Sequence, residues 1–178
     1  MRKRNLISAP LLALLLIGLI PLVNPPAQAQ LRKDYLSELE ADKIRDAETP
    51  NERIRLFLSF ALDRLKKFKY ELARTAPEAH RADMLNKLLS DYSSCLDDAA
   101  DVLTVGIERQ QDVRAGIKET QARVKDFQEM LEKIQKDAVE LDTYKDSLQD
   151  AFESTRDAQA DAEKAAKKNA PAPSRKKP

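Results

Sequence analysis

One heptad register persists from Leu85 to Phe152, and it confines this stretch to helices packed along a shared apolar seam. With Leu89 at position a, the later a positions include Leu96, Leu103, Ile117, Val124, Leu131 and Phe152. The d positions include Leu85, Tyr92, Val113, Phe127, Ile134, Leu141 and Leu148. The phase fails mainly around Gly106–Gln110 and at Lys145. Apolar spacing that arises by chance rarely stays in phase this long.

Two shapes satisfy such a register. Residues 77–165 can form one helix, whose in-register part would span about 100 Å at 1.5 Å per residue. Alternatively the chain folds back within residues 104–116, where Gly106 and Gly116 each weaken a helix by about 1 kcal/mol relative to alanine. The unbroken phase favours the continuous helix, with a weak point at 104–116. Next to the seam, the g positions Leu88, Cys95, Val102 and Met130 are apolar, while the e positions are mostly uncharged. That wide stripe fits a helix with two neighbours rather than a two-stranded coil.

The neighbours precede it. Residues 33–46 form a short helix with Tyr35, Leu36, Leu39 and Ile44 on one side. A second helix, 50–74, starts at a well-marked boundary. Thr49 suits the N-cap, Pro50 the first turn and Glu52 the reciprocal carboxylate of a capping box. Ile54, Leu58, Ala61, Leu65, Phe68 and Leu72 trace its seam, widened by Phe57, Phe60 and Leu62. Thr75, Pro77 and Glu78 repeat the punctuation and start the next helix. The expected fold is all-α: an elongated helical hairpin or three-helix bundle with a long coiled-coil arm.

Charge supports that pairing. Residues 50–75 carry seven basic and three acidic side chains, whereas residues 77–163 carry eleven and twenty-one. The stretch Arg64-Leu65-Lys66-Lys67-Phe68-Lys69-Tyr70 mixes basic and aromatic residues, but Leu65 and Phe68 lie on the seam. It therefore reads as pairing with an acidic helix rather than as a nucleic-acid contact.

The chain starts with Arg2, Lys3 and Arg4, then an apolar run from Leu6 to Val23, then Pro25, Pro26 and Ala27-Gln28-Ala29. This order predicts a secretory signal cut between Ala29 and Gln30. The mature chain would hold 28 basic and 30 acidic residues. Six of the basic ones and none of the acidic ones lie in residues 164–178, a segment expected to be disordered from about 169. Within it Lys167, Lys168, Arg175, Lys176 and Lys177 are the candidate contacts for an anionic envelope polymer or lipid. A folded part that is net acidic excludes a general nucleic-acid binder.

No catalytic, cofactor-binding or metal constellation emerges. His80 and Cys95 are the sole histidine and cysteine. On one helix they would stand about 22 Å apart, too far for a nucleophile–base pair. Asp91, Asp97, Asp98 and Asp101 lack the glycine-turned loop of a calcium hand. Cys95 reads as a buried thiol or as half of an intermolecular disulfide. In outline the chain resembles the small periplasmic holdase chaperones, with a leader, a modest mature length and helical arms, although its folded part is acidic where theirs is basic. Two functions follow as expectations. One is a non-enzymatic, exported protein that contacts protein partners or its own copies as an envelope scaffold, spacer or adaptor. The other is a periplasmic holdase that cradles unfolded clients between its helical arms.

Overall fold

A computed structural model describes residues 35–74, 79–137 and 139–168, and among them every regular element is helical. The short α1, Glu38–Asp46, precedes four long helices: α2 Pro50–Ala73, α3 Arg81–Glu108, α4 Arg114–Lys136 and α5 Lys145–Lys168. A single 3-10 turn, Leu141–Thr143, lies before α5. The Thr75, Pro77 and Glu78 punctuation lies outside the described residues.

The region expected as one helix is therefore three. α3 stops at Glu108 because Gln110 takes a left-handed conformation, with φ 56°. The amide of Gln111 then donates to Gly106 O at 2.8 Å, and that of Gln110 to Ile107 O at 3.0 Å. Together these two bonds form the Schellman closure that satisfies the last carbonyls of a helix. α4 ends before Glu140, also left-handed at φ 60°. The long coiled-coil arm is replaced by helices that turn back on one another.

α2 to α5 enclose a square. α2 and α5 each pack against both α3 and α4. Cross-contacts set the directions. Asn51 in the first turn of α2 bonds the loop before α4 and the first turn of α4, so α2 and α4 run parallel. Asn86 near the start of α3 bonds the segment entering α5, so α3 and α5 run parallel. The α3–α4 turn thus crosses the diagonal of the bundle at one end, whereas the other connections join adjacent helices.

The core follows the heptad seam. Leu85, Leu89, Tyr92, Leu96, Leu103, Val113, Ile117, Val124, Phe127, Leu131, Ile134, Leu148 and Phe152 are buried, and Leu141 is half-buried. From α2 come Ile54, Phe57, Leu58, Phe60, Ala61, Leu65 and Phe68. Phe68 meets Tyr144 edge-on at 5.1 Å, and Tyr92 meets Phe127 at 5.6 Å. From Ala151 onward the buried stripe of α5 also runs through Thr155, Ala158, Ala162 and Ala165. Beyond Phe152 the large side chains of that stripe give way to alanine and threonine.

The two glycines mark close approach rather than helix weakness. A Cβ on Gly106 would run into the Val113 side chain, and one on Gly116 into Ile54 and Asn51. Both sit inside regular helix, and the chain reverses between them at Gln110.

α1 lies along α2 and makes no comparable set of contacts elsewhere. Tyr35, Leu36 and Ile44 pack partly against the core, but Leu39 is 74 % exposed and does not share their face. No described helix is long and apolar enough to cross a membrane. The predicted cleavage pair Ala29 and Gln30 lies outside the described residues.

Candidate functional site

Arg64 sits on α2 against α1, with Cys95 of α3 close by. Its side chain is 7 % exposed. The guanidinium fork takes both carboxylate oxygens of Glu40, at 2.8 Å each, and reaches Tyr35 O at 2.9 Å and Asp63 at 3.0 Å. This is the planar, two-bonded match that arginine makes and lysine cannot. Glu40 also closes a capping box with Ser37, so the same carboxylate caps α1 and anchors it to α2. Burial works against its ionised form, but hydrogen bonds from Arg64 and Ser37 outweigh burial and hold Glu40 at about 2. Hydrogen bonding to Glu40, against burial, likewise raises Arg64 above its ordinary value.

Cys95 lies beside this latch, fully buried on α3, with the charges of both Arg64 and Glu40 acting on its thiol. Burial pushes the thiol up to about 12, so almost no thiolate forms at neutral pH. Cys95 is a free thiol, and its burial works against an intermolecular disulfide while the bundle is closed. His80 holds the N-cap position of α3 in solvent without a side-chain cap, and stands 3.8 Å from Asp83, remote from the thiol.

Two asparagines pin the ends of the bundle. Asn51 donates to Asp112 O at 2.7 Å and accepts from the Gly116 amide at 2.7 Å. Val113, at the N-cap of α4, supplies no side-chain cap, so Asn51 caps α4 from another helix. At the opposite end Asn86 donates to Thr143 O at 2.7 Å and accepts from the Ser147 hydroxyl at 2.7 Å. Beside it the buried Arg81 donates to Leu72 O and Arg74 O, the last carbonyls of α2. Inside the bundle Thr155 donates to Ala151 O, leaving its oxygen to accept from Tyr92 Oη at 2.6 Å.

The acidic residues of α3 do not act as one group. Asp91 is held by Lys87 at 2.9 Å. Asp97 is raised by burial and by Asp101 and Asp157, which marks an acidic ridge where α3 and α5 lie side by side. Among the described residues no group of acidic, histidine or cysteine side chains is arranged to hold a metal ion.

The basic stretch of α2 divides. Leu65 and Phe68 enter the core and Arg64 takes Glu40, while Lys66, Lys67, Lys69 and Tyr70 face solvent. Lys67 pairs with Asp63 of its own helix at 2.7 Å, not with an acidic neighbour. Of the basic tail, Lys167 and Lys168 are exposed in the last turn of α5, and Arg175, Lys176 and Lys177 lie outside the described residues.

Sequence reasoning missed the latch although half of its signal was legible. Ser37-Glu38-Leu39-Glu40 has the spacing of a capping box, but nothing local couples Glu40 to a residue 24 positions on. No family model, curated protein or solved structure matches this chain.

Proposed function

We propose that the protein is a non-enzymatic, exported helical body that works through contact, as a spacer or adaptor at the cell envelope. The observation that carries this reading is its distribution of charge over a closed interior. The heptad side chains face one another inside α2–α5, so what reaches solvent is mainly charge: an acidic α3–α5 ridge and the basic last turn of α5. Cations there also suit the negative end of the helix dipole.

On this reading the basic tail brings the body to an anionic envelope polymer or lipid, and the acidic faces meet protein partners. The test is co-sedimentation of the mature protein with phosphatidylglycerol vesicles at low and high salt. Binding should be lost at about 1 M salt, where screening falls to about 3 Å. It should also be lost when Lys167, Lys168, Arg175, Lys176 and Lys177 are changed to glutamine. Binding indifferent to salt and to these charges would remove the tail from the proposal. Export is tested by the intact mass of the protein from a periplasmic fraction, expected to begin at Gln30.

The holdase alternative asks the same apolar residues to face a client, and in this structure they face each other. It would require the bundle to open, and it predicts suppressed aggregation of an unfolded outer-membrane client at stoichiometric ratio.

A further inference from the structure

We infer that α1 is an exchangeable strap, and that the Arg64 seat on α2 accepts Glu40 from a second copy of the chain as well as from its own. Beyond the contact role proposed above, this assigns a specific self-association surface.

Four observations carry it. α1 has no fully buried residue, and its main seat is on α2, outside the square that completes the core. Its hold is concentrated: three of the four Arg64 hydrogen bonds go to Glu40 and to Tyr35 O. The Tyr35 hydroxyl is buried without a partner among the described residues, so the strap is not perfectly satisfied where it lies. Finally, only Ala47, Glu48 and Thr49 join it to α2, and both Ala47 and Thr49 are extended.

The chemistry of the seat decides the occupant. If α1 lifts in a lone chain, Arg64 keeps Asp63 but gives up the two-bonded match with Glu40 and its bond to Tyr35 O. If α1 is traded with a second copy, each Arg64 regains Glu40 and Tyr35 O, and no latch contact is lost. A short hinge favours such trading. What opposes it is the turn at the hinge, where Arg53 donates to Ala47 O at 3.1 Å and the Glu48 amide donates to Glu52 at 3.0 Å. These bonds belong to the closed single chain.

Complementary charge reversal tests this with the full mature chain. Glu40→Arg and Arg64→Glu each break the latch within their own chain. In a mixture, the strap of either variant matches the seat of the other. Native mass spectrometry should show each variant alone as a monomer and the equimolar mixture as a dimer holding one of each. A mixture that stays monomeric while circular dichroism shows both variants folded overturns the inference, as do homodimers formed by either variant alone. Should a reversal prevent folding, Arg53→Ala decides. It leaves the latch intact and loosens the hinge, so the dimer fraction should rise several-fold over wild type at equal concentration. An unchanged fraction overturns the inference.

Discussion

At the residue scale, two positions near the α3–α4 turn answer in opposite directions to the same chemistry. Gln110 occupies a left-handed conformation that costs an L-residue with a side chain roughly 1–2 kcal/mol and glycine little. Gln110→Gly should therefore raise stability by about 1 kcal/mol, read as a higher urea midpoint at unchanged slope. Gly106→Ala adds a methyl group where the Val113 side chain already stands, so the usual gain from alanine in a helix reverses to a loss of about 1–3 kcal/mol. Glu40 supplies the pH dependence. Its folded value of about 2 lies below its ordinary 4.5, so the latch contributes stability that is complete above about pH 4.5 and lost as pH falls through 2. An NMR titration of the Glu40 carboxyl should show a midpoint near 2 with α1 shifts moving together with it. A midpoint near 4.5 would mean that the latch is open in solution.

At the scale of elements, helix ends rather than helix interiors carry the architecture. At the start of α4 the N-cap residue Val113 gives no side-chain cap; Asp112 accepts from the Arg114 amide, and Asn51 of α2 accepts from the Gly116 amide. Asn51→Ala removes that cap and the bond to Asp112 O, and should cost about 2 kcal/mol, more than loss of an ordinary surface cap. Asn51→Asp keeps an acceptor for Gly116 but no donor for Asp112 O, so its loss should be smaller. Both are measured by denaturant unfolding. The start of α2 was legible because all of its signals are local: Thr49 caps Glu52 N, Glu52 reaches back to Thr49 N, and Pro50 opens the turn. The end of α3 was not, because a Schellman turn with glutamine at its left-handed position has no composition signal. Both glycines pointed near the reversal, yet each is needed for packing against a neighbour.

Across the whole molecule, closure of the bundle governs both reactivity and size. Cys95 should react with an aromatic disulfide reagent at pH 8 only after denaturant is added, and the protein without reductant should keep the monomer mass under denaturing conditions, with no disulfide-linked dimer. Rapid labelling in native buffer would show that the latch region opens readily. Residues 35–168 should have a radius of gyration of about 14 Å by globular scaling. A single in-register helix of about 100 Å would scatter as a rod of roughly twice that radius.

Helical content, the seam residues and the α2 start were determined by the sequence alone, because each rests on spacings within a few turns. Whether the seam ran through one helix or three was not. Val113 and Ile117 follow a reversal at Gln110, yet they keep the count begun at Leu85, so a loop of in-frame length hides in an unbroken register. A helix presents the same apolar stripe to an arm or to a bundle. The choice lies in contacts between residues far apart in sequence: Asn51 with Gly116, Asn86 with Ser147, Tyr92 with Thr155 and Glu40 with Arg64. Those pairs exist only once the helices have come together, and tertiary structure alone decided them.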